Sequence, residues 1–183
     1  MTAQASDRIT YRDREFGLVG WEGAGLFDPV QHGLKPFQVS TGNWVGYLCT
    51  YAVADSGLRL ERFEIGFGAD DRAASLRGEG PLLFGVRPRL SEQDSYAVYE
   101  NLGQVMPFSG TLTLGADFDW STYVHMGFHP PWKYRVVWDL TFDAGKLVAE
   151  ADRSADMARM REAEASGGLG SLFKPLEPLQ SAG

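Results

Sequence analysis

Between Lys133 and Phe142 the chain alternates with period two. Tyr134, Val136, Trp138, Leu140 and Phe142 take one parity, and Lys133, Arg135, Val137, Asp139 and Thr141 the other. Successive side chains of an extended strand point to opposite faces, so this is the pattern of a half-buried β-strand. The same reading predicts strands over 9–21 (interrupted near Gly17), 43–53, 58–67, 81–86, 96–108, 109–118, 122–128 and 146–151. "ADSG" (54–57) and "DAG" (143–145) punctuate these runs as hairpin turns. In 58–67 the alternation slips: Leu58 and Leu60 share one parity, and Phe63, Ile65 and Phe67 the other. An extra residue near Glu61–Arg62 restores both sets to one face, which predicts a β-bulge there.

Helical signals are sparse. The polar stretch 68–80 predicts a loop or a short helix around 72–76. "SADMARMREAEA" (154–165) predicts one C-terminal helix with Ser154 as its N-cap. Residues 1–7 read as a disordered N-terminus, and 166–183, a Gly–Ser stretch followed by "LFKPLEPL", as a flexible tail. That leaves a single domain over 8–165. Many short strands and almost no helix predict an all-β fold. An antiparallel β-barrel or strongly curved sheet, lipocalin-like and flanked by the C-terminal helix, is the first expectation; a two-sheet β-sandwich is the alternative.

Composition narrows the function classes. The 183 residues carry a formal charge of −7, which repels phosphate backbones and anionic lipid surfaces, so neither nucleic acid nor membrane is an expected partner. One cysteine, Cys49, excludes an intramolecular disulfide, and the N-terminal residues lack the apolar run of a signal peptide. Both fit a cytoplasmic protein. No P-loop, dinucleotide fingerprint or clustered Cys/His set occurs, so no cofactor and no metal are expected.

The stretch "TYVHMGFHPPWKYRVVW" (122–138) holds two of the three histidines, His125 and His129. On one extended strand they would lie about 13 Å apart, too far to share a metal whose ligands sit about 2 Å from one centre. His125 alone is a candidate acid/base group, because imidazole titrates near neutral pH. Glu64, a carboxylate within an apolar strand, is the second such candidate; pairing with Arg59 or Arg62 is the plainer reading for it. Trp44, Tyr47, Tyr51, Tyr99, Tyr123 and Trp138 are candidate ligand-binding residues, as walls and hydrogen-bonding groups of a pocket. An ordinary aromatic β-core accounts for the same residues equally simply.

Trp44, Gly46 and Tyr47 in "NWVGY", with Tyr123, His125, Met126 and Gly127 in "TYVHMGF", resemble an uncharacterised bacterial all-β family that shares a W-x-G-Y strand and a Y-V-H-M-G-[FY] strand. The resemblance covers roughly residues 37–148 and implies no activity. The functional expectation is therefore drawn from the residues. It is a barrel pocket for an apolar or aromatic small molecule, with a biosynthetic accessory or cyclase-type role using one acid/base group. The alternative is an acidic protein-binding module of inhibitor or immunity type, steered to a basic partner by its charge. A homodimer is compatible with either.

Overall fold

The structure, a computed structural model, describes residues 2–166. The chain runs β1 (Arg8–Tyr11), β2 (Arg14–Ala24), β3 (Tyr47–Ala54), β4 (Gly57–Ile65), α1 (Ala69–Leu76), β5 (Ala97–Tyr99), β6 (Gln104–Val105), β7 (Ser109–Phe118), β8 (Tyr134–Asp143), β9 (Lys146–Asp152) and α2 (Ser154–Ala165). Three hairpins turn on two-residue loops, Arg12–Asp13, Asp55–Ser56 and Ala144–Gly145, all with positive φ. This is the type I′ geometry whose twist matches that of the flanking strands.

The pairings follow the order β3-β1-β2-β7-β8-β9-β4 and return from β4 to β3, so seven strands of one sheet close a ring; β5 and β6 attach to β4. Every pairing is antiparallel except β1 with β3. The fold is thus dominated by strands, with two helices, and the separate sheets of a sandwich do not form. No helix among the described residues is long and apolar enough to cross a membrane.

The bulge falls where the broken alternation put it. Thr50 pairs with Arg62 and Tyr51 with Leu60, leaving Glu61 as the extra residue. Leu58, Leu60, Phe63 and Ile65 can then all point inward, each 0% exposed. They join Ile9, Tyr51, Tyr99, Phe108, Leu112, Leu114 and Leu140 in one continuous core. On the other face of β8, Val137 is 1% exposed, with α2 packed over that strand. Ser154 Oγ accepts from Val137 N at 3.1 Å, and Arg161 donates to the Trp132 carbonyl at 2.8 Å. Ser154 is the first helical residue rather than the cap.

Four expectations are corrected. Residues 81–86 form a tight turn, not a strand: Leu83 and Val86 exchange backbone hydrogen bonds at 2.9 Å around Phe84 and Gly85, both with positive φ. Residues 122–128 form a loop, because the double proline and the positive φ of Gly127 end the extended run. The single strand expected over 96–108 is two short ones, β5 and β6. The N-terminus is tied down: Gln4 N donates to Gly127 O at 2.8 Å, and Asp7 Oδ1 accepts from Cys49 N at 2.7 Å. Of the tail expected over 166–183, residues 167–183 lie outside the described residues.

The ring has a thin seam. β9 and β4 share one residue pair, Lys146 with Gly57. Beyond it the gap is crossed by side chains, with the Tyr11 hydroxyl and the Arg12 guanidinium both donating to the Glu150 carboxylate. Tyr11 is 4% exposed, so removing its acceptor leaves a covered hydroxyl unbonded. Glu150→Ala is expected to lower stability by about 1–2 kcal/mol, a few degrees in melting midpoint. It should also speed amide exchange in residues 148–152 while leaving 111–115 unchanged. Equal acceleration in both segments would show that the seam is not held by this contact.

Candidate functional site

Of the tyrosines named as candidates, Tyr51 and Tyr99 lie in the core, Tyr47 is partly buried against it, and Tyr123 is exposed. Tyr51 and Tyr99 are 1% and 0% exposed. Tyr47, Phe63 and Tyr99 stack in series, with ring centroids 5.8 and 5.9 Å apart, and the Tyr99 hydroxyl donates to the Pro81 carbonyl at 2.8 Å. Trp138 packs on Tyr11 at 5.8 Å with the Arg12 guanidinium over its ring, which places it at the seam. Trp44 is 52% exposed. It sits in the turn closed by Gly46, where φ is +79° and a Cβ would meet the Phe37 carbonyl at 2.8 Å. That steric limit accounts for glycine at this position.

One group in this core is chemically unusual. Burial pushes the Asp7 carboxyl up to about 6, against the opposing effect of its bond from Cys49 N. Burial likewise raises Cys49 and Tyr51 well above their usual values, with Asp7 adding to both, and pushes Tyr47 up to about 12. A thiol and two phenols held neutral beside a carboxyl form a structural cluster, not an activated nucleophile.

Glu64 lies elsewhere, in a cleft of about 740 Å³ between α1, β4, β5 and the 88–96 loop. A ladder of charges lines it. Arg62 bonds Glu64 and Glu100, each at 3.1 Å, and Arg89 bonds Glu100 at 2.8 Å. Glu64 therefore has the arginine partner that the plainer reading gave it.

Tyr123 and His125 are brought together, but on the loop between β7 and β8. Phe118, opposite Tyr134 at the last rung of that ladder, begins the loop. Asp119 caps a turn at Trp120–Thr122 by accepting from Ser121 N at 3.2 Å, and Asp119 N donates to Lys133 O at 2.8 Å to close the base. Inside, His129 lies 4.7 Å from the Phe118 ring and 5.3 Å from Tyr123. The Tyr123 hydroxyl and His125 Nδ1 are hydrogen-bonded at 2.9 Å. Tyr123 thus contacts both histidines, with ring centroids 6.0 Å from His125 and 5.3 Å from His129. Trp120, Tyr123, Val124, Met126 and Phe128 are 75%, 41%, 48%, 53% and 62% exposed. Gln4 links this loop to the turn holding exposed Trp44 and Val45: Gln4 N donates to Gly127 O at 2.8 Å, and Trp44 N donates to Gln4 Oε1 at 2.9 Å.

Sequence reasoning set His129 aside and placed Lys133 on the solvent face of a strand. Lys133 is in fact only 5% exposed, in a turn among aromatics. The signal that could have flagged both is their position in "HPPWK", where two prolines stop the alternation that exposes polar residues. Burial lowers both pKa values, and Lys133 further lowers that of His129. Among the described residues no three His, Cys, Asp or Glu side chains are placed to hold a metal. No protein family, curated protein or solved structure matches this chain, so the geometry carries the functional argument.

The Asp7 shift has a definite sign. Its folded value of about 6 stands above the ordinary 3.8. The folded state therefore holds a proton that the unfolded state has released, and stability falls as pH rises through that window. Asp7→Asn keeps the oxygen acceptor for Cys49 N and removes the charge. At pH 7.5 the variant is expected to be about 1–3 kcal/mol more stable than the parent, several degrees in midpoint, with the difference vanishing near pH 4. A variant less stable at pH 7.5 would mean that the carboxylate is needed there.

Proposed function

We propose that this protein is a binding module that docks another polypeptide through the loop 118–134 and the adjoining Trp44–Val45 turn. One observation carries the reading: five large apolar side chains within nine residues stand exposed on a loop that is itself anchored at both ends. Contiguous exposed apolar surface of this kind is a mark of protein–protein contact, and Trp, Tyr, Phe and Met are the side chains enriched there. We take the seven-stranded ring as a lipocalin-like barrel whose inside is a packed core, which moves recognition to its rim. In this reading Tyr123 and His125 offer polar contacts beside the apolar ones.

The charge of −7 does not describe this face. Lys133, Arg14, Arg135 and Arg161 gather around the loop against Asp117 and Asp119, which pair with Arg14 at 2.9 Å and Arg135 at 3.6 Å. Screening confines charge effects to about 8 Å at physiological salt, so a partner meets these local pairs rather than the net charge of the chain.

A second reading, small-molecule binding, is favoured by the outer clefts. Beside the cleft that holds Glu64 lies another of about 480 Å³, lined by Phe37, Val39 and Phe67 with Arg72. Both volumes lie in the range of ligand pockets. An apolar molecule would rest on the phenylalanines, and Glu64 would be the nearer of the two candidate acid/base groups.

Native mass spectrometry with variants separates the two. Trp120→Ser with Phe128→Ser is expected to leave the melting midpoint nearly unchanged, since both side chains are exposed. It should weaken a polypeptide complex by roughly 30-fold or more, as loss of an aromatic anchor does. Phe67→Ser should leave that complex intact. Association insensitive to the aromatic pair, with a small ligand lost on Phe67→Ser, would reverse the choice.

A further inference from the structure

Helix α2 ends beside the aromatic loop. It begins where Ser154 Oγ accepts from Val137 N, part-way along β8. Two turns on, Arg161 donates to the Trp132 and Tyr134 carbonyls. The helix therefore runs along β8 toward the base of the 119–133 loop, which Asp119 N closes on Lys133 O. From Arg161 to Ser166 is about 7.5 Å of helical rise. Residues 167–183 lie beyond that point, outside the described residues.

Their composition suits the surface they start from. Residues 166–171 are Gly and Ser apart from Leu169, and they can span at most about 20 Å. Next, "LFKPLEPL" (172–179) sets Leu172, Phe173, Leu176 and Leu179 around Pro175 and Pro178. Two prolines three apart fix their own φ and bias Lys174 and Glu177 away from helix, the pattern of a polyproline II segment. Such segments are recognised by surfaces lined with aromatic rings. The loop offers exposed Trp120, Tyr123 and Phe128. Trp120 lies 5.2 Å from Phe118 and 5.8 Å from Tyr123, so these three rings make one surface.

We propose that residues 172–179 dock on the aromatic loop of the same molecule, as an internal ligand that an outside polypeptide must displace. The inference rests on the reading of this loop as the docking face. It names the regulation of that face and the chemistry admitted there, an extended proline-containing segment with apolar side chains. Tethering sets the segment at roughly millimolar effective concentration. A face of about 0.1 mM intrinsic affinity is then filled about nine times in ten, and a free copy of the segment binds about 10-fold more weakly.

Paramagnetic broadening in the full chain tests the contact. Cys49 is buried, so a nitroxide on Ser181→Cys reports from beside Leu179 alone. The Trp120 indole and the amides of 124–128 are expected to lose most of their intensity, and those of β4 none. Phe173→Ser with Leu176→Ser should restore the lost signals. A synthetic peptide of residues 170–181 should bind that double variant about 10-fold more tightly than it binds the parent. The same peptide carrying Pro175→Ala and Pro178→Ala should bind roughly 5-fold more weakly, having lost its pre-set extension. An unbroadened loop overturns the proposal. Broadening seen only when spin-labelled chain is mixed with isotope-labelled chain lacking the nitroxide also overturns it, because the occupant is then a second copy. Equal peptide affinity for parent and double variant does the same. If these tests fail while Trp120→Ser with Phe128→Ser still breaks a polypeptide complex, docking stands without the internal ligand. A docked segment in a chain whose polypeptide complex ignores that pair leaves the internal contact and defeats the docking reading.

Discussion

A full core is the constraint from which the rest of this molecule follows. Seven strands close on themselves, and the space they enclose is taken by rings and branched aliphatic side chains. Tyr51, Tyr99, Phe63 and Phe108 are each at most 1% exposed. Aromatic side chains bury large areas, on the order of 150–250 Å² each, and that burial drives the closure. It also removes the hollow that a ring of strands could have offered to a ligand. The exposed apolar side chains of the rim loop and the two clefts lie on the outside.

Closure is uneven around the ring. β7 and β8 run together over most of their length, whereas β9 meets β4 at one residue pair and is then held by Tyr11 and Arg12 on Glu150. Side-chain bonds are easier to exchange with water than a backbone ladder, so opening is cheapest at the seam. The rim loop lies at the opposite end of the β7–β8 ladder from the hairpin that leads into β9. The exposed aromatic loop is thereby mounted on the most continuous part of the sheet.

Polar groups covered by the fold fall into two kinds. Asp7 is half-buried and bonded to Cys49 N, and its surroundings favour the protonated carboxyl. The ring nitrogens of His129 and Arg59 Nε are covered without partners among the described residues. The first kind is held by a bond within the chain; the second has no such bond there.

Alternation along single segments determined the strands, the hairpin turns, the helix at 154–165 and the bulge at Glu61, because each depends on residues a few positions apart. The same local rule failed at 81–86 and 122–128. There Phe84, Gly85 and Gly127 take positive φ and the chain turns where its apolar content suggested extension. Glu64 was legible as arginine-paired, since Arg62 sits two residues away on its own strand. Which tyrosines are core and which are surface was not legible: Tyr51 and Tyr123 are equally aromatic, and only strand order puts one inside the ring and the other on its rim. Nor could parity show that Lys133 is covered, because its burial arises from a turn packed under α2 and beside Trp132, contacts made across the chain. Local pattern fixes what a segment becomes; the closing of the sheet decides what it faces.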